Sequence, residues 1–571
     1  MNVIDFQKAN CRNCYKCVRS CSVKAIRIKN EQAQIMNEHC ILCGHCLEVC
    51  PQNAKTFSSD LDRVKSFLRQ GQKTVISIAP SYLGVMKYSH PGQVVTALKR
   101  LGFKQIRETA EGAAYVTNAY HRILEEGSMK NVISTCCPSI NDLIEKYFPD
   151  LTPYMAPVVS PMVAHGMLIK KQLGMNTKVV FLGPCIAKKE EAELDERTSG
   201  WIDAVINFSE VEQWLEEEGI DVKAQNPSPM DNPDPKVNRL YPVSSGVMTS
   251  VVAKNGKDTY RKLFVDGLDN CIDLFRGMAN GELEHCFIEA NVCEGGCIKG
   301  PAISKMEVSR FKAKLDIEEQ IEYVSPDYPE VPPEVDLEKQ FYSRVEKEKM
   351  PTEEEIRSIL RKTGKYSRED ELDCGACGYG SCREKAIAVF QEKAELGMCL
   401  PYAFDKANSM ANTVMEQTPN AILVVDQDMR IMEFNKAAEK MFKQSKSVAV
   451  EKYLFELIDH TDFLYVYDTH EPIVHKRVAY EDLGIYTTQT LVYVKEQDAV
   501  LGIFEDVTEE ENNKKKHYQL QVETVEMAQK VIDKQMMVAQ EIAGLLGETT
   551  AETKVTLTKL RDSILFEGQE E

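Results

Sequence analysis

No run of 18 or more apolar residues occurs in this 571-residue chain, so no transmembrane helix is expected. The opening MNVIDFQKAN has neither a basic stretch nor an apolar one, and no secretory signal is visible. Positive charge is in short supply. Lys and Arg number 69 against 88 Asp and Glu, and the net charge of −19 argues against non-specific nucleic-acid binding. With no sign of export, 19 cysteines in short CxxC groups read as metal ligands in a reducing compartment and not as disulfides. The expectation is a cytoplasmic protein of an anaerobe, with no membrane and no nucleic-acid partner. At 43% hydrophobic and 27% charged the chain is globular, and its length calls for about three to five domains.

What is present is cysteine in four sets of four. Cys11, Cys14, Cys17 and Cys21 follow the spacing of bacterial two-cluster ferredoxins, and Cys40, Cys43, Cys46, Cys50 and Pro51 repeat it. In that arrangement the fourth cysteine of each motif serves the other cluster. One 4Fe–4S cluster then takes Cys11, Cys14, Cys17 and Cys50, and the second takes Cys40, Cys43, Cys46 and Cys21. Such spacing works because the chain turns tightly with its N–H groups aimed at sulfur. A pair of zinc sites is the alternative.

Between about residues 70 and 310, apolar runs alternate with helical patterns, as in an α/β sheet. Strands are expected at Thr74–Ile78, Asn131–Ile133, Val179–Leu182 and Cys286–Ile288, with helices at Ser139–Phe148 and Ala187–Asp195. Each strand leads into an unusual loop: Ala79-Pro80-Ser81, Thr135-Cys136-Cys137-Pro138, Gly183-Pro184-Cys185, and the segment reaching Cys293 and Cys297. Open α/β folds bind ligands at such carboxyl ends. Three loops therefore bring Cys137, Cys185, Cys293 and Cys297 to one point.

These loops, with Cys185-Ile186-Ala187-Lys188-Lys189-Glu190-Glu191, Cys293-Glu294-Gly295-Gly296-Cys297 and Ser245-Gly246-Val247-Met248, resemble the catalytic domain of FeFe hydrogenases. The resemblance covers about residues 1–310. It implies a 4Fe–4S cubane on Cys137, Cys185, Cys293 and Cys297. Cys297 would bridge it to a two-iron subsite with carbonyl, cyanide and azadithiolate ligands, together the H-cluster. It implies further that Lys188 binds one cyanide, that Pro80 and Ser81 lie near the other, and that Cys136 relays protons with Glu191 and Glu289 as acids. The implied reaction is the reversible conversion of dihydrogen to two protons and two electrons, performed by the cofactor while the protein orients it.

The chain departs from that family at three places. Gly183 and Asn291 stand where methionines are usual, and the stretch Gly112–Tyr120 matches one that usually ends in two glutamates. Losing soft thioethers and an outer acid favours tuning over bulk turnover. Blander readings exist for single residues. Lys188 could be a surface lysine, Glu190 a helix-dipole partner, Cys136 a small buried hydrophobe, and Cys271 and Cys286 core residues.

Beyond residue 310 the character changes. Residues 311–365 read as a linker, acidic and proline-rich over Ser325–Glu334. Cys374, Cys377, Cys382 and Cys399 then form a compact set resembling small 4Fe–4S modules, with a zinc knuckle as the alternative. Its place in the sequence suggests electrons carried toward the C-terminal part. Residues 404–510 resemble a PAS domain. The remainder, 511–571, reads as a signalling or coiled-coil helix broken at Gly547, with no kinase, phosphatase or DNA-binding motif.

The expected architecture is multidomain α/β. A ferredoxin-like α+β domain (1–60) precedes the α/β hydrogenase-type domain (61–310), followed by the linker, the Fe–S module (366–403), an α+β PAS domain and the helix. The expected cofactors are three accessory 4Fe–4S clusters and the H-cluster. The leading functional reading is slow dihydrogen turnover serving a sensor. A metabolic ferredoxin-coupled hydrogenase and a non-catalytic iron–sulfur assembly protein are the alternatives. Dihydrogen, protons, a ferredoxin-like carrier, maturases and a signalling output protein are the partners implied, with a homodimer through the PAS region as a further possibility.

Overall fold

Thr74–Ile78 is a strand with all five side chains buried, as expected of a central strand covered on both faces. It pairs in parallel with Gln105–Glu108 on one side and Lys178–Leu182 on the other, and Ala204–Ile206 extends the sheet. A second parallel sheet orders Arg261–Asp266, Cys286–Asn291 and Val132–Ile133. The alternating pattern thus serves two sheets and not one, because each has its own apolar core. Each sheet contributes two of the four loops.

The coordinates are a computed structural model. They describe every residue except 1–2, 7–9, 253–258, 305, 307, 322–329, 333, 451, 544–549 and 567–571. Most of the expected proline-rich stretch, with the expected helix break at Gly547, lies outside the described residues. Among the described residues no helix is long and apolar enough to cross a membrane.

The chain divides into two units, Met1–Ala403 and Phe404–Glu571. Within the first, the segment after residue 335 is no free linker. Glu338 bridges to Val158, and the Arg344 N–H donates to the Glu145 carbonyl at 2.7 Å. The Arg344 side chain reaches Asp142 at 2.7 Å and Glu190 at 3.4 Å, which gives Glu190 an ionic partner besides its helix end. Cys271 and Cys286 are buried in the core of the smaller sheet.

The second unit is built on a five-stranded antiparallel sheet. Its order is Ile431–Phe434, Ala421–Val425, Ala499–Asp506, Ile485–Val494, Ile473–Tyr480. Phe434, Phe442, Phe463 and Phe504 fill its core. Asn435 caps the helix Lys436–Phe442 by accepting from the Ala438 N–H, and a 36-residue helix, Thr508–Ala543, follows the last strand.

Candidate metal centre

Both sheets end at one cavity of about 460 Å³, lined among others by Cys136, Cys137, Cys185, Lys188, Asn291, Cys293 and Cys297. Cys137 N-caps the helix Pro138–Tyr147, with proline at its first position, where the missing N–H costs nothing. Cys185 follows Lys178–Leu182 and precedes the helix Ala187–Glu193. Cys293 follows Cys286–Asn291. The four thiols are enclosed by protein, yet each keeps some surface toward the cavity. Burial, then repulsion among neighbouring sulfurs, pushes Cys185 up to about 11 and raises Cys293 and Cys297 well above the usual thiol range. A pocket that disfavours bare thiolates so strongly suits a cationic metal group that neutralises them. Among the described residues no three His, Cys, Asp or Glu side chains meet closely enough to hold a single ion; these thiols surround a space instead.

Lys188 is the cavity's cation. Its ammonium donates to Glu191 Oε2 at 2.7 Å and to the Cys136 carbonyl at 3.1 Å. Burial opposes its charge, but Glu191 and the neighbouring sulfurs outweigh that and hold it above the usual lysine range. Glu191 also accepts from Ser160 Oγ at 2.9 Å, while its Oε1 has no hydrogen-bond partner.

Glu191 and Glu289 stand behind the lining, bonded to Lys188 and Asn291, while Pro80, Ser81 and Gly183 are not among the lining residues. Glu289 accepts from the Met248 N–H at 2.8 Å and from Asn291 Nδ2 at 3.2 Å, so Asn291 links it to the cavity. Burial pushes its carboxyl up to about 7 despite those donors. Pro80 and Ser81 occupy the turn after Thr74–Ile78, and Ser81 Oγ is buried with no hydrogen-bond partner. At Gly183 an added Cβ would lie 2.5 Å from the Phe181 ring and 3.4 Å from Ala79 Cβ. The aromatic ring thus takes the space a side chain at 183 would need. The four-thiol donor set and the buried cation fit the group that the resemblance implies.

One residue escaped the sequence reading. Tyr120 Oη accepts the Thr135 N–H at 2.8 Å and lies 3.3 Å from Cys136 Sγ. The helix Ala110–Glu126 was read only for missing acids, but its period places Ala113, Tyr120 and Leu124 on the buried side. A tyrosine on an apolar face calls for a hydrogen-bond partner, and that was the available signal. Burial pushes the Cys136 thiol up to about 12.

The two N-terminal motifs fold as repeats. Asn13, Tyr15 and Lys24 adopt positive φ, as do Leu42, Gly44 and Asn53 at the matching places. Sulfur accepts backbone N–H groups in both: Ala25 to Cys21, Leu42 to Cys40 and Ala54 to Cys50, at 3.3–3.4 Å. Cys11, Cys14, Cys17 and Cys50 line one pocket, the grouping expected from the spacing. Cys21, Cys40 and Cys43 all act electrostatically on Cys46, which burial raises well above the thiol range. Cys43 also lines the central cavity, and Gly44 packs so closely on Pro301 that an added Cβ would sit 2.3 Å from its side chain.

Cys374, Cys377, Cys382 and Cys399 line a third pocket, with Lys365 Nζ donating to Cys399 Sγ at 3.3 Å. This module packs on the N-terminal domain, sharing a core of Val18, Ile26 and Ile28 with Tyr379, Ala388 and Met398. Its place in the sequence suggested a link to the C-terminal part; long-range packing sets it beside the ferredoxin motifs.

Residues 72–301 match the family described as "Iron only hydrogenase large subunit, C-terminal domain". Residues 2–51 match "4Fe-4S dicluster domain", 370–401 match "Putative Fe-S cluster" and 409–486 match "PAS fold". The chain is 25% identical over 323 residues to the NADP-reducing hydrogenase subunit HndD of Solidesulfovibrio fructosivorans, covering 46% of this chain and 55% of that protein. It is 21% identical over 359 residues to the cytosolic Fe-S cluster assembly factor narfl of Danio rerio, covering 51% and 87%. A solved FeFe-hydrogenase HydA1 variant of Chlamydomonas reinhardtii aligns with 17% identity and a TM-score of 0.41 over 51% of this chain and 100% of that one. The chain thus spans about half the length of the hydrogenase subunit it matches.

Proposed function

We propose that this FeFe-hydrogenase-like chain, with its N-terminal dicluster domain and C-terminal PAS domain, turns over dihydrogen slowly at the cavity between the two sheets. Its role in this reading is to report hydrogen or redox state. The observation that carries it is Lys188. A buried ammonium on the wall of a four-thiol cavity, fixed by Glu191 and beside Cys136, is kept at a desolvation cost that a neutral pair at positions 188 and 191 would avoid. It is suited to hold an anionic ligand of a metal group.

When bound, the H-cluster would supply reversible dihydrogen cleavage. The chain's part is to hold and shield it. Cys137, Cys185, Cys293 and Cys297 would hold its cubane, with Cys297 serving the two-iron subsite as well, while Lys188 and Ser81 would offer donors to its cyanide ligands. Cys136, oriented by Tyr120, carries protons to and from the site, with Glu289 behind Asn291 as a further carrier. Gly183 backed by Phe181, and Asn291, change the packing and polarity around the irons, which favours a tuned, slow centre. In this account a ferredoxin-like carrier exchanges electrons, maturases install the two-iron subsite, and a partner protein receives the output, all in the cytoplasm.

The second reading is a non-catalytic assembly protein, which the likeness to narfl and the substituted positions 183 and 291 favour. Hydrogen–deuterium exchange by anaerobically matured protein separates the two. HD formed from deuterium gas in ordinary water supports hydrogenase chemistry. No HD from protein carrying its full iron complement supports the assembly reading.

A further inference from the structure

The Cys374 module is joined to the N-terminal domain by contacts that leave little freedom. Arg19 Nη1 donates to the Ala376 carbonyl at 3.2 Å, the Ile28 N–H to the Lys393 carbonyl at 3.0 Å, and the Asn30 N–H to Glu395 at 2.7 Å. Gly378, at φ 93°, lies against the backbone of Val18 and Arg19; an added Cβ would sit 3.1 Å from Arg19 N and 3.3 Å from the Val18 carbonyl carbon. These contacts join segments more than 350 residues apart, and beside them Val18, Ile26, Ile28, Tyr379, Ala388 and Met398 share one buried core.

Tyr379 is placed at the seam. It is buried, lines the module's pocket, and its hydroxyl has no partner. Both Cys377 of the module and Cys21 of the ferredoxin set lie near enough to act electrostatically on it. Cys21 belongs to the set whose Cys43 lines the central cavity. The Cys21, Cys40, Cys43 and Cys46 set is therefore flanked by the cavity on one side and by the module on another. The Cys11, Cys14, Cys17 and Cys50 set adjoins it separately, through Cys17 in the shared core. Two of the four sets carry a solvent-exposed cysteine, Cys14 in one and Cys374 in the other.

We infer that the relay branches. The Cys374 module is a second solvent-facing electron terminal, joined to the Cys21 set across Tyr379. The inference rests on the reading of these cysteines as 4Fe–4S ligands, and it needs no hydrogenase activity. Each transfer across the junction is one electron: a reduced cluster in the Cys21 set is oxidised by one as the module's cluster is reduced by one, or the reverse, with no bond made or broken. The external donor or acceptor at Cys374 is a one-electron carrier, as at Cys14.

The test uses the full chain, reconstituted with iron and sulfide, reduced with dithionite and examined by electron paramagnetic resonance. Removing the module's cluster by Cys374→Ala with Cys382→Ala should lower iron by about four atoms per chain and simplify the spin-coupled signal of the Cys21 set. Because that variant could loosen the module, the unaltered protein is also titrated with reductant. The Cys21-set signal should broaden or split as the module's cluster becomes paramagnetic. Iron lost with the Cys21-set signal unchanged, and no splitting in the titration, would overturn the junction. Iron content unaffected by the substitutions would instead show that these cysteines hold no cluster, and the reading beneath the inference would fall with it.

Discussion

Tyr120 Oη lies 3.3 Å from Cys136 Sγ while accepting the Thr135 N–H at 2.8 Å, so one hydroxyl ties the thiol to the backbone that presents it. Tyr120→Phe removes that tie and leaves a buried N–H without an acceptor. Stability should fall by about 1–3 kcal/mol, measured by denaturant unfolding. In matured protein turnover should fall between about tenfold and a hundredfold through misplacement of the thiol. Unchanged turnover in a stably folded variant would remove Tyr120 from the site.

Lys188 and Glu191 form a buried pair at 2.7 Å. Lys188→Met leaves a carboxylate that is 3% exposed with only Ser160 Oγ and the more distant Lys339 at 4.0 Å, and should cost about 2–4 kcal/mol. Lys188→Met with Glu191→Gln should recover much of that loss, since no bare charge remains. Neither variant should recover bound cyanide in infrared spectra after maturation. Cyanide bands in the double variant would mean that the ammonium is dispensable.

Glu289 titrates in the neutral range, and the sign of its effect follows from burial. Its folded pKa of about 7 lies above the ordinary 4.5. Between those values the unfolded chain has lost its proton while the folded chain keeps it. Stability therefore falls as pH rises through that window and levels off above about 7. Glu289→Gln should abolish this part of the slope. A protonated-carboxyl infrared band should fade with a midpoint near 7 in the unaltered protein and be missing from the variant.

The Phe181 ring, 2.5 Å from where a Cβ on Gly183 would stand, decides what restoring a methionine would do. Gly183→Met alone should overpack and lose about 1–3 kcal/mol. Gly183→Met with Phe181→Leu should be more stable than the sum of the single changes predicts, because the second makes room for the first. Additive losses would mean that the two positions do not share space.

Local chemistry explains which parts of this were readable. The strand Thr74–Ile78 stood out because it is rich in Val and Ile and stops at a proline turn, and the structure reproduces it residue for residue. The loops bearing Cys137, Cys185 and Cys293 were legible because each follows a strand end. The Cys11, Cys14, Cys17 and Cys50 grouping followed from spacing alone. Phe181 filling the space beside Gly183 was hidden, since nothing in the string says where a ring two residues away will turn. The seat of the Cys374 module was hidden for a stronger reason: Val18 meets Gly378 only after the intervening chain has folded. The splitting of the strands between two sheets was equally invisible, because the strand–helix alternation is the same for one sheet or two.

The most direct test of the central claim is infrared spectroscopy of anaerobically matured protein, first under argon and then under dihydrogen. The account predicts carbonyl and cyanide bands that shift when dihydrogen is admitted, with the cyanide bands lost in Lys188→Met. Fully loaded protein that shows no such bands, or bands indifferent to dihydrogen, would contradict it and leave an iron–sulfur protein of another kind.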